Sequence, residues 1–167
     1  MSNQLLPGYE LRFGATWEKA TLVKFLEMSY QELFPAQEDF SHLGKTAKQY
    51  FSKETPLWWV ELADATVSQN SQPSRLSQPV ACLWLGNAID QVQGDRHTHI
   101  FLLYVMPEFR RQGIGSALMH LAEDWARARG DRQLGLQVFQ NNHSAVSLYH
   151  KLGYQTQSLW MVKSLLK

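Results

Sequence analysis

The run Tyr104-Val105-Met106-Pro107-Glu108-Phe109-Arg110-Arg111-Gln112-Gly113-Ile114-Gly115-Ser116 carries the densest chemistry in this chain. A strand-like apolar stretch enters a basic, glycine-bearing turn, and the turn opens directly into apolar residues at helical spacing. A helix start of this kind gathers unpaired backbone N–H groups at the positive end of the macrodipole, and so suits a phosphate. Gly113 and Gly115 let main chain approach a bulky anion where a Cβ would hold it off. The guanidinium groups of Arg110 and Arg111 pair well with phosphate oxygens; an ordinary solvated surface is the plainer reading of two adjacent arginines.

Spacing excludes two common phosphate binders. No pair of glycines four residues apart is followed by Lys and Ser or Thr, so there is no P-loop, and Leu118 stands where a dinucleotide fingerprint needs its third glycine. What remains, Arg-x-x-Gly-x-Gly behind Val-x-Pro, resembles the acyl-CoA signature of the GCN5-related N-acetyltransferase (GNAT) family. A second segment in the same order, Asn141-Asn142-His143-Ser144-Ala145-Val146-Ser147-Leu148-Tyr149-His150-Lys151-Leu152-Gly153-Tyr154, is similar to the C-terminal half of that family's cofactor site. The likeness is tight over residues 97–154 and loose before them.

The resemblance implies acetyl-CoA as cosubstrate and direct attack of an amine on its thioester, with no covalent enzyme intermediate. Backbone N–H groups of Arg111, Gln112, Gly113, Ile114, Gly115 and Ser116 would hold the pyrophosphate. Main-chain groups of Leu103, Tyr104 and Val105 would contact the pantetheine arm, beside a strand that splays from its parallel neighbour. Asn142 matches the asparagine that holds the arm, and it equally suits the N-cap of its own helix. Tyr149 matches the tyrosine that protonates the leaving sulfur; a core tyrosine on a helix face is the alternative.

The base is placed by position and residue type together. Members often carry a glutamate near the start of this strand, but Thr98 to Val105 contains no acidic residue, and His99 occupies the place. An imidazole with a pKa near ~6.5 can accept an ammonium proton at neutral pH, and His97 two residues earlier could relay it. Two polar residues entering a strand edge are the plainer reading, and a His97–His99 metal pair lacks an identifiable third ligand, so no metal is expected. Cys82 lies in an apolar run with nothing to activate it, which disfavours a covalent route.

These groups need a frame. A 167-residue chain, 44% hydrophobic, suits one globular domain over residues 1–167. Sixteen basic against fifteen acidic residues leave no broad polyanion surface, which argues against nucleic acid and for a small-molecule or peptide amine as acceptor. The single cysteine, the lack of a leader at Met1 and of any long apolar run point to a cytoplasmic protein with no membrane partner.

Periodicity predicts a strand over 9–13 and a helix from Trp17, capped by Thr16, that presents Trp17, Leu22, Phe25, Leu26, Ser29 and Leu33 and ends before Pro35. A weaker helix follows at 43–53, after a loop whose Glu38 and Asp39 could attract a cationic amine. Strands are expected at 57–62 and 80–85, joined by a mobile loop over 63–79, then at 97–105 after a turn over 86–96. A helix over 114–129, a strand at 134–139, a helix at 142–151 capped by Gly153 and a closing strand over 154–165 complete the order. The expected class is a mixed α/β sandwich whose mostly antiparallel sheet ends in a splayed parallel pair, the fold of the resembled family. A catalytically silent acyl-CoA-binding module is the alternative to an enzyme, and an α/β interaction domain with chance motifs is the third.

Overall fold

The computed structural model describes residues 3–63 and 78–166, so most of the loop expected over 63–79 lies outside the described residues. The chain groups into two compact units, Met1–Gln137 and Val138–Lys167.

The first unit holds one six-stranded sheet in sequential order: β1 (Gln4–Leu6), β2 (Tyr9–Phe13), β3 (Leu57–Leu62), β4 (Ala81–Ile89), β5 (Arg96–Val105) and β6 (Leu134–Leu136). All pairings are antiparallel except β5 with β6. The expected mixed sheet with one parallel pair is therefore present. β1 was not anticipated, although Pro7-Gly8 between two leucines and a tyrosine is a turn signal, and Gly8 takes φ +82° there.

Helices α1 (Lys19–Leu33) and α2 (Ser41–Tyr50) cover one face. Leu22, Phe25, Leu26, Leu43 and Ala47 pack there with Leu57, Trp59, Cys82, Trp84, Leu102 and Tyr104. Helix α3 (Ile114–Ala128) lies on the other face, where Trp125 meets Trp58 edge to face at 5.1 Å between centroids. Its buried residues Ile114, Leu118, Met119, Ala122 and Ala126 recur at helical spacing on one face, and Gly130 ends the segment at φ +78°.

Trp17 does not join the α1 stripe. Residues Thr16–Glu18 form a 3-10 turn in which Trp17 is 84% exposed, and Thr16 is not the cap. Instead the Glu18 carboxylate, held by Arg12, accepts from the Ala15 N–H at 2.7 Å. A charged acceptor outcompetes a hydroxyl at a helix start.

β4 runs to Ile89, beyond its expected end at Leu85, because hairpin pairing with β5 carries it through Gly86. That hairpin contains the bulge that matters most: Trp84 pairs with Leu102 and Leu85 with Ile100, so Phe101 is the extra residue on β5. Cross-strand partners share a face. On the β4 side Gly86, Trp84 and Cys82 alternate regularly, and their partners are His99, Leu102 and Tyr104. The bulge thus brings His99, an odd-numbered position, onto the same face as Leu102 and Tyr104.

The second unit contains α4 (His143–Lys151). Asn142 caps it, its side-chain oxygen accepting from the Ala145 N–H at 3.2 Å, worth roughly 1 kcal/mol. Gly153 at φ +92° ends it, with the Tyr154 N–H donating to the Tyr149 carbonyl at 2.9 Å. The expected closing strand over 154–165 is not formed. Those residues carry no regular structure, and Leu159, Trp160, Met161 and Val162 are exposed. Apolar and β-branched composition favours a strand only where a neighbouring edge accepts its hydrogen bonds. β6 likewise stops at Leu136, short of its expected end at Phe139.

Candidate functional site

The turn between β5 and α3 is a main-chain construction. Val105 leads through the 3-10 turn Pro107–Phe109 to Arg110, after which Arg111 adopts φ +63° and Gly113 φ +88°. Arg111 is the only described non-glycine residue with positive φ, a conformation that costs roughly 1 kcal/mol or more. Left-handed residues this close together make a concavity of backbone N–H groups. Gly113 is the N-cap of α3, and no side chain caps that helix, so its first amides are left for another acceptor.

The N-terminal hairpin buttresses this turn. The Tyr9 hydroxyl donates to Gln112 Oε1 at 2.5 Å, and Leu6 Cδ1 lies 3.7 Å from where a Cβ on Gly113 would sit. Gln112, expected to serve through its backbone, therefore also pins the turn through its side chain. Ile114 is fully buried beneath it, Gly115 and Ser116 begin the first helical turn, and Arg111 is exposed.

Arg110 points elsewhere. Its guanidinium sits 5.5 Å above the Tyr104 ring, donates from Nε to the Val105 carbonyl at 2.8 Å, and grips both oxygens of Glu32 at 2.8 and 2.9 Å. The Tyr104 hydroxyl also donates to Glu32. Burial first, and Glu32 second, raise the Tyr104 phenol well above its ordinary value. Nothing in the sequence singled out Glu32. Its only trace is position, at the end of the helix whose Phe25 meets Tyr104.

The parallel ladder is short. Thr98, His99 and Ile100 pair with Leu134, Gly135 and Leu136, and the pairing ends there. From Leu102 to Val105, β5 has a ladder partner only on the β4 side among the described residues; the Met106 N–H donates to the Val80 carbonyl, so Tyr104 directs its main-chain groups to β4 and the alternate residues Leu103 and Val105 direct theirs to the other edge.

His99 stands where that ladder begins to part. Its cross-strand neighbours are both glycine, Gly86 on β4 and Gly135 on β6. A side chain at either position would crowd a ring: a Cβ on Gly86 would lie 2.0 Å from the Phe101 ring, and one on Gly135 would lie 2.7 Å from the His97 ring and 3.4 Å from that of His99. The rings of His97 and His99 are 6.3 Å apart, and Phe101 is 5.7 Å from His99 on its far side. Burial first, then the nearby His97, pull the His99 pKa below its ordinary value, so its imidazole is neutral at pH 7. His97 Nδ1 donates to the Thr98 carbonyl at 2.8 Å, which leaves Nε2 as the acceptor of its neutral ring.

Asp131 anchors the start of β5. Its carboxylate, almost fully buried, accepts from the Thr98 N–H at 2.8 Å and from the Thr98 hydroxyl, and pairs with Arg96 and Arg129. Beyond it a polar pocket of about 300 Å³ opens, lined by Asp90, Gln93, Asp95, Arg96, His97, Arg132 and Gln133. Its arginines are already matched to acids, Arg132 to Asp95 and Arg96 to Asp131, so it offers no unspent charge for an anionic cosubstrate.

In the second unit Tyr149 is buried, which pushes its phenol up to about 12, and its ring lies 6.0 Å from that of Tyr154. The Asn142 oxygen is used in capping. Glu38 is exposed, and Asp39 accepts from the Ser41 N–H at 2.7 Å, a helix-start role. Cys82 is fully buried, with its thiol pushed up by desolvation. Among the described residues no three His, Cys, Asp or Glu side chains cluster as metal ligands, and no helix is long and apolar enough to cross a membrane.

Comparison with known proteins gives one consistent result. Over 152 residues, 91% of this chain and 80% of the relative, the sequence is 25% identical to an uncharacterized N-acetyltransferase, YdgE, of Bacillus subtilis. It is 38% identical over 72 residues to the [ribosomal protein bS18]-alanine N-acetyltransferase of Escherichia coli, covering 43% of this chain and 48% of that enzyme. Among solved structures, a putative acetyl transferase from Pyrococcus furiosus superposes with a TM-score of 0.67 at 23% identity, over 93% of this chain and all of that one. An aminoglycoside acetyltransferase from a soil metagenomic sample has the same fold, with a TM-score of 0.64 at 14% identity, over 98% of this chain and all of that one. The acetyltransferase (GNAT) family model matches residues 23–154, the span that holds the phosphate-type turn, the histidine strand and α4, and the chain belongs to that family of acyltransferases.

Proposed function

We propose that this protein is an acetyl-CoA-dependent N-acetyltransferase that transfers the acetyl group by direct attack of a primary amine. The observation that carries this reading is the uncapped, doubly left-handed turn at 111–113, opening α3 next to a stretch of β5 that has lost its parallel partner. A pyrophosphate at the turn takes the amides of Arg111 to Ser116, with the Arg111 guanidinium beside them. The pantetheine arm then extends along the other edge of β5, where Leu103 and Val105 offer main-chain groups as a sheet edge offers them to a strand, with Tyr104 between them bonded to β4.

His99 takes the proton of the acceptor ammonium. Its lowered pKa keeps it unprotonated at pH 7, and His97, with Nε2 free to accept, passes the proton toward the polar pocket that it lines. Tyr149 donates to the departing thiolate, whose conjugate acid has a pKa near ~8.5; a phenol at about 12 gives up its proton reluctantly, so its contribution is a hydrogen bond to developing charge. Asn142 assists the arm through whichever amide atoms capping leaves over. The amine's identity follows from none of these groups. The ribosomal-protein alanine and the aminoglycoside named for two similar proteins span the range, peptide or small molecule, over which an amine panel should be drawn.

The test is a thiol-release assay with acetyl-CoA and that panel, run beside a thermal-shift titration with CoA. Free thiol appearing only when an amine is present is the expected result. No stabilisation by CoA would discard the reading altogether, and stabilisation without turnover on any amine would leave a binding module.

A further inference from the structure

Three side chains, from a helix, a strand and a turn, meet at the end of β5. Glu32 lies in the last turn of α1, Tyr104 in β5, and Arg110 follows the 3-10 turn; Glu32 accepts from the other two, while Arg110 also donates to the Val105 carbonyl. The Nε bond closes the chain from Val105 to Arg110 into a loop, and Glu32 holds that loop's guanidinium from outside. Both charged side chains are 37–38% exposed, so solvent screens the pair and its worth lies in the geometry it fixes.

Its location matters more than its strength. The residue after Arg110 is Arg111, the strained left-handed position on which the concavity of N–H groups depends. A strained backbone persists only where its surroundings over-determine it. On the far side the Tyr9–Gln112 bond holds the turn; on the near side the Phe109 and Arg110 N–H groups bond to the Met106 and Pro107 carbonyls within the 3-10 turn, and the Arg110 side chain ties that turn to α1. The Arg110 side chain, moreover, is drawn over Tyr104 on the sheet face that carries α1, whereas the uncapped amides belong to α3 on the opposite face.

We infer that Glu32 is a positioning residue for the cosubstrate: through Arg110 and Tyr104 it clamps the strand–turn junction so that the amides of 111–116 converge, and Arg110 acts through this clamp without ligating phosphate. The inference rests on the reading of that turn as the CoA seat. It assigns a function in cosubstrate affinity to the end of α1, and it divides the two arginines, Arg111 for the anion and Arg110 for the main chain.

The experiment is calorimetric titration of CoA into wild type, Glu32→Gln, Tyr104→Phe and Arg111→Ala at several salt concentrations. The clamp predicts that Glu32→Gln weakens CoA by about fivefold to tenfold and Tyr104→Phe by about twofold. Both should keep the wild-type dependence of log Kd on log salt, whereas Arg111→Ala flattens it. With a turning-over amine in hand, Glu32→Gln should raise KM for acetyl-CoA and leave kcat unchanged, a split that loss of general stability does not produce. If Glu32→Gln binds CoA as tightly as wild type, or more tightly because a freed Arg110 reaches phosphate, the inference is overturned. Should Glu32→Gln fold poorly, Tyr104→Phe, which removes only one donor, decides by the same criteria. Failure of the wild type to bind CoA is a different outcome, and it removes the proposed function together with the clamp.

Discussion

The two ends of β5 solve different problems by different means. At its C-terminal end, residues 104–116 make a seat out of main chain: positive φ at Arg111 and Gly113, an uncapped helix start, and side chains that serve as props. Near its N-terminal end, residues 97–101 make a site out of side chains, where a bulge sets the face and two glycines make the room. Main-chain seats are tied to particular residue types, since few residues other than glycine adopt φ near +88° cheaply. Side-chain sites are tied to register, which residue type does not record. The first kind of site is accordingly legible in a sequence, and the second is mostly not.

Mutations at the two ends should separate binding from chemistry. His99→Ala should lower kcat by about 10² or more and leave the affinity for CoA unchanged, as kinetics beside calorimetry would reveal. An equal loss in both quantities would mean that the two ends are not separable. In the wild type the depressed His99 pKa should place the acidic limb of the kcat/KM profile below ~6.5, activity being lost as the imidazole gains its proton. The same shift makes the unfolded chain bind more protons than the native one just below ~6.5, so His99 lowers stability as pH falls through that window. Chemical denaturation of His99→Ala should show a weaker pH dependence there.

Gly113→Val is the reciprocal test at the other end. A β-branched residue at φ +88° costs about 1–2 kcal/mol or more of native stability, and a turn that relaxes to avoid the strain loses its amide geometry. CoA affinity should drop about thirtyfold. A variant that binds CoA normally would show the concavity to be incidental.

Tyr149→Phe should reduce kcat about tenfold without altering CoA binding, the loss expected for one hydrogen bond to developing charge. Full turnover in that variant would return Tyr149 to a packing role. The smallest effect is expected from Gly135→Ala, whose new Cβ would crowd the His97 ring at 2.7 Å. A ring can tilt away, so a loss of about threefold to fivefold in kcat at constant KM for acetyl-CoA is the expected outcome. A larger change in KM than in kcat would show that the histidine end also shapes the cosubstrate site.

Much of the frame was accessible from spacing. The α3 stripe from Ile114 to Ala126, the ends at Gly130 and Gly153 and the Asn142 cap follow from helical period and terminal chemistry, which act within a few residues. Errors gathered where a partner distant in sequence decides. Trp17 fits a helical period but lies in a turn capped by Glu18, which Arg12 holds. Residues 154–165 have a strand's composition without its ladder. Arg110 adjoins the glycines in sequence, and the partner its guanidinium grips, Glu32, lies 78 residues earlier, where local order gives no sign of it.

By itself the sequence determined the class of fold, the family, and the glycine turn that opens α3, because those depend on local backbone preferences and on glycines that other residues replace only at a cost. Tertiary structure alone decided which face His99 occupies, which rings a side chain at Gly86 or Gly135 would crowd, and what Arg110 grips. Each of these is a contact between strands or helices remote along the chain, set by one extra residue in a hairpin and by the way the sheet stacks its helices, and local order carries no record of either.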